Sequence, residues 1–164
     1  MSALLAYPAC MSEELTHIDA QGRAGMVDVS HKKPMHRVAV AEARFVAAAA
    51  TIDRIMDGDL PKGEALSVAR IAGIQAAKCV DRTIPLCHTL PLSHVGVDFQ
   101  RAAQDCIRIE TSVTVVALTG VEMEALAAAS AAALTLWDMT KAVDKDLSIE
   151  GLRLVSKTKT PAND

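Results

Sequence analysis

The chain has 164 residues, of which 51% are apolar and 23% charged, so it fits a single domain that buries roughly 70% of its unfolded surface. Its formal net charge of −3 gives no electrostatic attraction to nucleic acids or anionic membranes. Aromatic residues make up only 2% of the chain, which is too few for the stacking platforms of a protein that reads single-stranded nucleic acid.

The first half of the chain predicts one strand followed by two helices. Residues 1–25 are polar and poorly periodic, and we expect a flexible segment there. Residues 37–45 alternate with the period of a strand, and both sides of its first half are apolar, which favours cover on both faces. A helix over 47–56 ends before Gly58. After Gly63, a second helix is predicted over 64–80, with a face of small residues that favours close packing.

The second half predicts two strands, a long helix and a final strand. Alternating apolar residues indicate strands over 94–100 and 107–115. An alanine-rich helix is predicted over 121–143. The last strand is predicted over 147–155, with a kink at Gly151, and a polar tail follows.

This order of elements is a βαββαβ plan, with an extra helix in the first crossover. We therefore predict an α+β, ferredoxin-like fold: an antiparallel sheet with helices packed on one face. One domain over 26–157 would lie between the flexible segment 1–25 and a tail over 158–164. The other sheet face still carries apolar residues, and large side chains are few. We expect that face or a sheet edge to be covered in a homo-oligomer.

No segment of the sequence has the features of a membrane anchor or an export signal. The longest apolar stretch, 125–136, is rich in alanine and interrupted by Ser130 and Thr135, so it is too short for a membrane span. Residues 1–10 lack a basic start and a long apolar run. Four cysteines without CxxC spacing are typical of reduced thiols. We expect a cytoplasmic protein.

A short loop presents a cysteine and a histidine side by side. Residues 84–91 contain two prolines, cannot form a regular element, and display Leu86, Cys87 and His88. Loops held by rigid elements often carry ligand-binding groups, although a buried connection with a hydrogen-bonded histidine explains the same residues. A zinc site would need Cys87, His88 and His94, and no second Cys/His cluster completes the tetrahedron. We predict no metal site.

The start of the long helix carries two carboxylates. Thr119 and Glu122 have the spacing of a capping box, so Glu122 has a structural explanation as a helix cap. Glu124 lies in the first turn, where the helix dipole would favour its ionised form. Two carboxylates at this place could equally accept hydrogen bonds from the amino and ring N–H groups of a guanine-like base.

The end of the same helix carries an aspartate and two lysines. Asp138 and Lys141 are three residues apart, and Lys145 is four further on, so they share a helix face. A surface ion pair, with lysines that complement the helix dipole, explains the pattern. The alternative is a proton-transfer pair, in which burial and the neighbouring aspartate tune the pKa of a lysine.

Three other basic residues are ordinary in their sequence context. Lys62 lies in a loop between Pro61 and Gly63, Arg37 opens a strand, and Lys78 lies near a helix end. Simple solvent exposure explains each of them. On spacing alone, the sequence therefore indicates at most an enzyme that acts on an anionic ligand.

Five segments, taken together, resemble molybdenum cofactor biosynthesis protein C, the family of cyclic pyranopterin monophosphate synthases. They are GMVDVS (25–30), ARIAGIQAAK (69–78), IPLCH (84–88), TGVEMEAL (119–126) and DMTKAV (138–143). The resemblance runs in order from about Thr16 to Val155 without large gaps. It covers the whole predicted domain, and each motif is several residues long.

The resemblance implies a ferredoxin-like subunit in a homohexamer, a trimer of dimers with active sites at subunit interfaces. It implies a lyase whose substrate is 3′,8-cyclo-7,8-dihydroguanosine triphosphate. The products would be cyclic pyranopterin monophosphate and pyrophosphate. No resident cofactor is implied, although Mg²⁺ could accompany the triphosphate.

The resemblance also assigns roles to the residues described above. Asp138 matches the family's active-site aspartate, and Lys62 and Lys141 match its two catalytic lysines, for acid–base work at the ring and the phosphate. Substrate-contacting segments are matched by Leu86, Cys87, His88, Met123 and Glu124, with Glu122 as a neighbour. A triphosphate also needs positive charge, and from charge alone our candidates are Arg37, Lys78 and Lys145. In an acidic protein, such charges would have to converge from two subunits.

Two residues depart from the family pattern. Thr89 stands where relatives often have proline, and Trp137 where they often have tyrosine. Neither replaces a group with a catalytic role. Two other classes of protein stay open at this point: a non-catalytic, ferredoxin-like nucleotide-binding module that oligomerises, and an RNA-binding domain of similar topology, which the charge and the missing strand aromatics disfavour.

Overall fold

A computed structural model of the chain describes residues 21–162, so most of the predicted flexible segment and the last two residues lie outside the described part. The elements are β1 (Met35–Val46), α1 (Ala49–Asp57), α2 (Ala65–Ala77), α3 (Val80–Thr83), β2 (His94–Ala103), β3 (Cys106–Ala117), α4 (Glu122–Thr140) and β4 (Ser148–Pro161). The predicted order of strands and long helices is confirmed, and with it the α+β, ferredoxin-like plan.

The four strands form one antiparallel sheet in the order β2-β3-β1-β4. Alternate residues of β1 point to the helices and are fully buried, as the period of two predicts: Ala39, Ala41, Ala43 and Phe45. The inner face of α4 also consists of small side chains, with five buried alanines: Ala125, Ala128, Ala129, Ala132 and Ala133. Alanine on both surfaces lets the long helix lie close to the sheet.

Gly73 marks the place where α2 crosses α4. A Cβ atom at Gly73 would lie 3.0 Å from the main-chain oxygen of Ala128 and 3.1 Å from a methyl carbon of Val97. The small-residue face of α2 predicted the close packing, with Ala65, Ala69, Gly73 and Ala77 buried. This contact fixes α4 in place, and both ends of α4 carry candidate site residues.

The opposite sheet face carries no helix among residues 21–162. Val38 and Val40 on this face are half-buried, and Glu42 of β1, between β3 and β4, is 5% exposed. Arg108 of β3 and Arg153 of β4 each donate to Glu42 at 2.8 Å. These hydrogen bonds are the main reason why the pKa of Glu42 is lowered.

Several predicted boundaries need correction. The second helix ends at Ala77, and a separate turn, α3, follows; α4 ends at Thr140, not at Val143. The predicted kink in the last strand is confirmed, because Gly151 has a φ of +59° where the pairing of β4 with β1 shifts register. β4 then continues beyond Val155 to Pro161, since its main chain pairs with the first half of β1 although its side chains are polar.

Candidate active site

A cavity of about 400 Å³ lies at the N-terminal end of α4. The residues that line it come from the loop after α3, from the start of α4 and from β4: Leu86, Cys87, His88, Leu90, Thr119, Gly120, Glu122, Met123, Glu124 and Lys157. The cavity thus brings together all six residues that were predicted for substrate contact in the loop and the helix start.

The predicted capping box at the start of α4 is wrong. The helix begins at Glu122, its N-cap is Val121, and no side chain caps it. The carboxylate of Glu122 instead folds back over Gly120, where a Cβ atom would collide with it, and accepts a 3.0 Å hydrogen bond from Lys157 Nζ. Glu122 therefore faces the cavity in an ion pair.

Lys157 is a cavity residue that the sequence analysis missed. It lies on the part of β4 beyond the predicted end of the strand at Val155, where a lysine in a polar stretch indicates simple solvation. The signal that could have found it is the alternation of Lys157 and Lys159 with Ser156 and Thr158, which has the period of a strand.

Glu124 is the buried acid of this cavity, with 4% exposure. Burial raises its pKa, and the charges of Glu122 and Asp81 add to the effect. A main-chain hydrogen bond at the helix start lowers the pKa, in the direction expected of the helix dipole, but loss of hydration outweighs it, so the net shift of the pKa is opposite to the predicted one. Glu124 can act as a proton donor or, against N–H groups of a ligand, as an acceptor.

Cys87 and His88, the two reactive residues of the loop, are each fixed by a hydrogen bond. The Cys87 amide donates to the carbonyl oxygen of Ile84 at 3.0 Å, which closes the turn around Pro85. Burial raises the pKa of the Cys87 thiol, and the charge of Glu124 adds to it, so this cysteine contacts a ligand as a thiol. His88 Nε2 lies 2.9 Å from the Val27 carbonyl, which can only accept, so Nδ1 is left for a ligand.

A second cavity, of about 280 Å³, adjoins the first and shares Gly120, Glu122 and Lys157 with it. Its other charged residues are Arg37 and Lys159, which face each other directly across β1 and β4. Like charges in this position destabilise a sheet. Arg37 donates hydrogen bonds from its Nε and one terminal nitrogen to the carbonyl oxygens of Ala117 and Leu118, at 3.2 and 3.0 Å. The arrangement suits an anionic group.

The C-terminal end of α4 carries the other predicted cluster. Lys62 Nζ lies 2.8 Å from a carboxylate oxygen of Asp138, and Lys141 Nζ lies 2.6 Å from the other. Lys62 reaches this place because the turn before α2 closes with Gly63 at a φ of +91° and because Glu64 caps α2 through the amides of Leu66 and Ser67. Residues far apart in the sequence thus converge on one carboxylate.

Hydrogen bonds and charges from Lys141 and Lys62 lower the pKa of Asp138 to about 2. The side chains of Lys62 and Lys141 are 41% and 58% exposed within one subunit. The burial invoked for a tuned lysine is therefore absent from the isolated chain. This cluster is assembled, but its surroundings are open.

Two predicted phosphate-binding residues lie elsewhere. Lys145 donates to the main-chain oxygen of Lys141 and so caps the end of α4. Lys78 lines a separate cavity of about 420 Å³ with Ile74, Leu90 and His94. Neither residue lines the cavities at the start of α4.

The two clusters lie at opposite ends of one helix. Glu124 and Asp138 are separated by 14 positions along α4, which is roughly 21 Å at 1.5 Å per residue. Direct proton transfer needs hydrogen-bond reach or one bridging water. One subunit therefore does not place both clusters around the same reacting atoms.

Among residues 21–162, no helix is both long and apolar enough to cross a bilayer. Within the same range, no three His, Cys, Asp or Glu side chains are grouped so that they could hold a metal ion.

Comparison with known proteins places the chain in a family. Residues 26–160 match the MoaC family. The chain is 53% identical over 145 residues to a protein of Corynebacterium efficiens, 51% over 146 residues to one of Chloroflexus aggregans, and 50% over 145 residues to one of Thermomicrobium roseum. All three are named cyclic pyranopterin monophosphate synthase. Each match covers 88% of this chain and 93%, 88% and 87% of the relative, in the same order. The resemblance seen in the sequence motifs is confirmed, and the chain belongs to the MoaC family.

Proposed function

We propose that the chain is a cyclic pyranopterin monophosphate synthase of molybdenum cofactor biosynthesis, acting in the cytoplasm. It converts 3′,8-cyclo-7,8-dihydroguanosine triphosphate to cyclic pyranopterin monophosphate with release of pyrophosphate, a lyase reaction. Family membership and identities of about 50% along most of both chains support the proposal. The observation that carries it is the convergence of Lys62 and Lys141 on Asp138.

This cluster supplies what ring opening and phosphate closure demand. Ammonium groups can neutralise phosphate oxygens and give up a proton, and Asp138 holds both lysines in one place. Enclosure by a second subunit would exclude bulk water from this cluster, which prevents solvent from competing in the proton transfers. In that setting, Lys62 and Lys141 are the catalytic acid–base pair, and Asp138 is the group that orients them.

The cavity at the start of α4 suits the guanine-derived ring. Glu124 offers a buried carboxyl group to amino and ring N–H groups, while Cys87 and His88 line the same space. The adjoining cavity, with Arg37, Lys157 and Lys159, suits the phosphate chain because three cations face one carboxylate there. Lys78 and Lys145 keep a lesser part in this proposal, since both lie away from these cavities.

The active site is composite in this proposal. One subunit contributes the Lys62, Asp138 and Lys141 cluster, and a second contributes the cavity at the start of α4, because one helix separates them by roughly 21 Å. A homohexamer, a trimer of dimers, provides such pairs of ends. The ligand is a small nucleotide-derived molecule, with no nucleic-acid or membrane partner. Mg²⁺, where present, enters with the triphosphate.

A single-turnover reaction tests the proposal. The purified protein is incubated with the cyclic dihydro-GTP intermediate, and pyrophosphate and the oxidised pterin product are followed. Lys62→Ala and Lys141→Ala are each expected to lose at least about 100-fold in rate, as loss of a general acid–base group does.

Arg101→Ala is the matched control, because Arg101 forms an ion pair of similar length and exposure with Asp53, remote from the cavities. It is expected to retain the wild-type rate. A folded, oligomeric wild type that forms no product would leave a nucleotide-binding module without turnover.

A further inference from the structure

Thr89, in the loop that lines the cavity at the start of α4, makes a specific contact. Its hydroxyl donates a 2.7 Å hydrogen bond to Oδ2 of Asp81 on α3. Thr89 directly follows His88 in the loop, so the bond joins the segment that lines the cavity to the short helix before it. Among residues 21–162, no other side-chain hydrogen bond joins this loop to α3.

Asp81 is itself well placed beside the cavity. It is half-buried, the neighbouring Val80 is fully buried, and α3 contacts α4. The charge of Asp81 reaches Glu124 at the start of α4 and adds to the raised pKa of that residue, after burial and Glu122. The charge of Asp81 therefore couples the residue that holds the loop to Glu124, which lines the cavity.

The other contacts of the loop lie on either side of Thr89, and on its C-terminal side Leu90 and Leu92 pack against the core. The Cys87 amide is held within the turn by Ile84, and His88 contacts Val27, in a segment without strands or long helices. The Ser93 amide is fixed to Thr114 at the start of β2. Thr89 is exposed and Cys87 and His88 are only partly buried, so the tether adds a restraint to a part of the loop that can open locally.

We propose that Asp81 and Thr89 are positioning residues of this site, whose hydrogen bond fixes the loop that carries Cys87 and His88 against the N-terminal end of α4. A carboxylate acceptor makes such a bond stronger than one between neutral groups. Neither residue touches the substrate in this arrangement. They keep the loop in the conformation that binds it, so their loss acts on substrate affinity before it acts on the chemical step.

Amide hydrogen exchange tests the tether without any activity. The Cys87 amide is the reporter, and the Ser93 amide is the internal reference. Thr89→Val removes the hydroxyl at nearly constant shape, and we expect exchange at Cys87 to be at least about fivefold faster, with Ser93 unchanged. Thr89→Ser keeps the hydroxyl and is expected to restore wild-type exchange.

Thr83→Val is the matched control on α3. The Thr83 hydroxyl donates to the carbonyl of Val80 at 3.1 Å, within the same helix, and does not reach the loop. This variant is expected to leave exchange at Cys87 unchanged. Equal exchange at Cys87 in Thr89→Val and in the wild type would overturn the proposal, as would equal acceleration by Thr83→Val.

The kinetic test rests on the proposed function. Thr89→Val is expected to raise KM about three- to tenfold with kcat within about twofold, as loss of one hydrogen bond to a charged group allows. Asp81→Ala, which removes the acceptor, is expected to do the same. It also lowers the pKa of Glu124, whose remaining charged and titratable neighbours are Glu122, with its partner Lys157, and Cys87.

Different results would contradict the synthase assignment and the positioning role of Asp81 and Thr89. A wild type that forms no product contradicts the synthase assignment, while the exchange of the Cys87 amide still decides whether the tether exists. An active enzyme whose KM is the same in Thr89→Val and Thr89→Ser contradicts the positioning role.

Discussion

Lys62 Nζ lies 2.8 Å from both the carboxylate oxygen and the main-chain oxygen of Asp138, although 76 positions separate the two residues in the chain. The ammonium group therefore binds the end of α4 at two points. With Lys141 on the other carboxylate oxygen, Asp138 is held by two cations at the surface of one subunit. In this geometry, the two ammonium groups lie on either side of one carboxylate, where both can bind an anionic substrate.

The ionisation of Asp138 provides a first prediction. Its pKa is depressed to about 2 from an ordinary value of 3.8, so the ion-pair stabilisation is complete above pH 3.8 and is lost as the pH falls through 2. Lys141→Ala is expected to raise the pKa more than Lys62→Ala, because the hydrogen bond from Lys141 is the largest cause.

Carboxyl carbon-13 shifts, assigned through the signal lost in Asp138→Asn, measure this titration. A titration still incomplete where the fold is lost also places the pKa below 3.8. A midpoint at or above 3.8 in the wild type would show that the lysines do not hold Asp138. Arg101→Ala serves as the control that leaves the midpoint unchanged.

The buried carboxyl group of Glu124 is expected to lower the stability of the folded chain at high pH, although the reaction requires it. Its pKa is raised above the ordinary 4.5, so the folded chain binds more protons than the unfolded chain above pH 4.5. Stability therefore falls as the pH rises through the folded-state pKa. Glu124→Gln removes this pH-dependent loss, so its stability relative to the wild type is expected to be greater at pH 8 than at pH 5. Its turnover is expected to drop at least about tenfold.

Urea unfolding at a fixed protein concentration, at both pH values, measures the effect of Glu124→Gln. Asp98→Asn, an exposed carboxylate on β2, is the control. If the variant and the wild type lose the same stability between pH 5 and pH 8, Glu124 does not carry a buried charge.

Replacement of Gly73 by alanine is expected to destabilise the fold, although alanine favours the helical conformation. Alanine is better than glycine in a helix by about 1 kcal/mol, but the new Cβ would lie 3.0 Å from the Ala128 oxygen of α4. Gly73→Ala is expected to lower the free energy of unfolding by about 1–3 kcal/mol, as overpacking does.

Gly25→Ala is the matched control for Gly73→Ala, because nothing lies within 4 Å of a Cβ at Gly25. Urea unfolding of both variants checks the prediction. A Gly73→Ala protein as stable as the wild type would mean that α2 and α4 separate without loss.

The sequence predicted the fold well where apolar residues repeat clearly. The period of two in β1 and the alanine-rich face of α4 gave both elements, because burial on one face leaves this pattern in any sequence. β4 was predicted too short because its second half is polar and is held by main-chain pairing with β1. Main-chain hydrogen bonds leave little trace in side-chain composition, so Lys157 was missed with it.

The candidate site was predictable only in parts. Spacing alone indicated the pair of Asp138 and Lys141, since residues three apart on a helix are neighbours. Lys62 joined them only through the family resemblance. The capping box failed because α4 begins two positions beyond where Thr119 would cap it. The pKa of Glu124 depends on burial beneath the loop, which is a property of the tertiary structure.

Subunit complementation tests the central claim, a site shared between two copies of the chain, most directly. Lys62→Ala damages the cluster at the end of α4, and Glu124→Ala damages the cavity at its start. Each variant alone is expected to be inactive, while oligomers that contain both are expected to regain activity, because some sites then combine two intact halves. Mixed oligomers that contain both variants and stay as inactive as either alone would contradict a composite site.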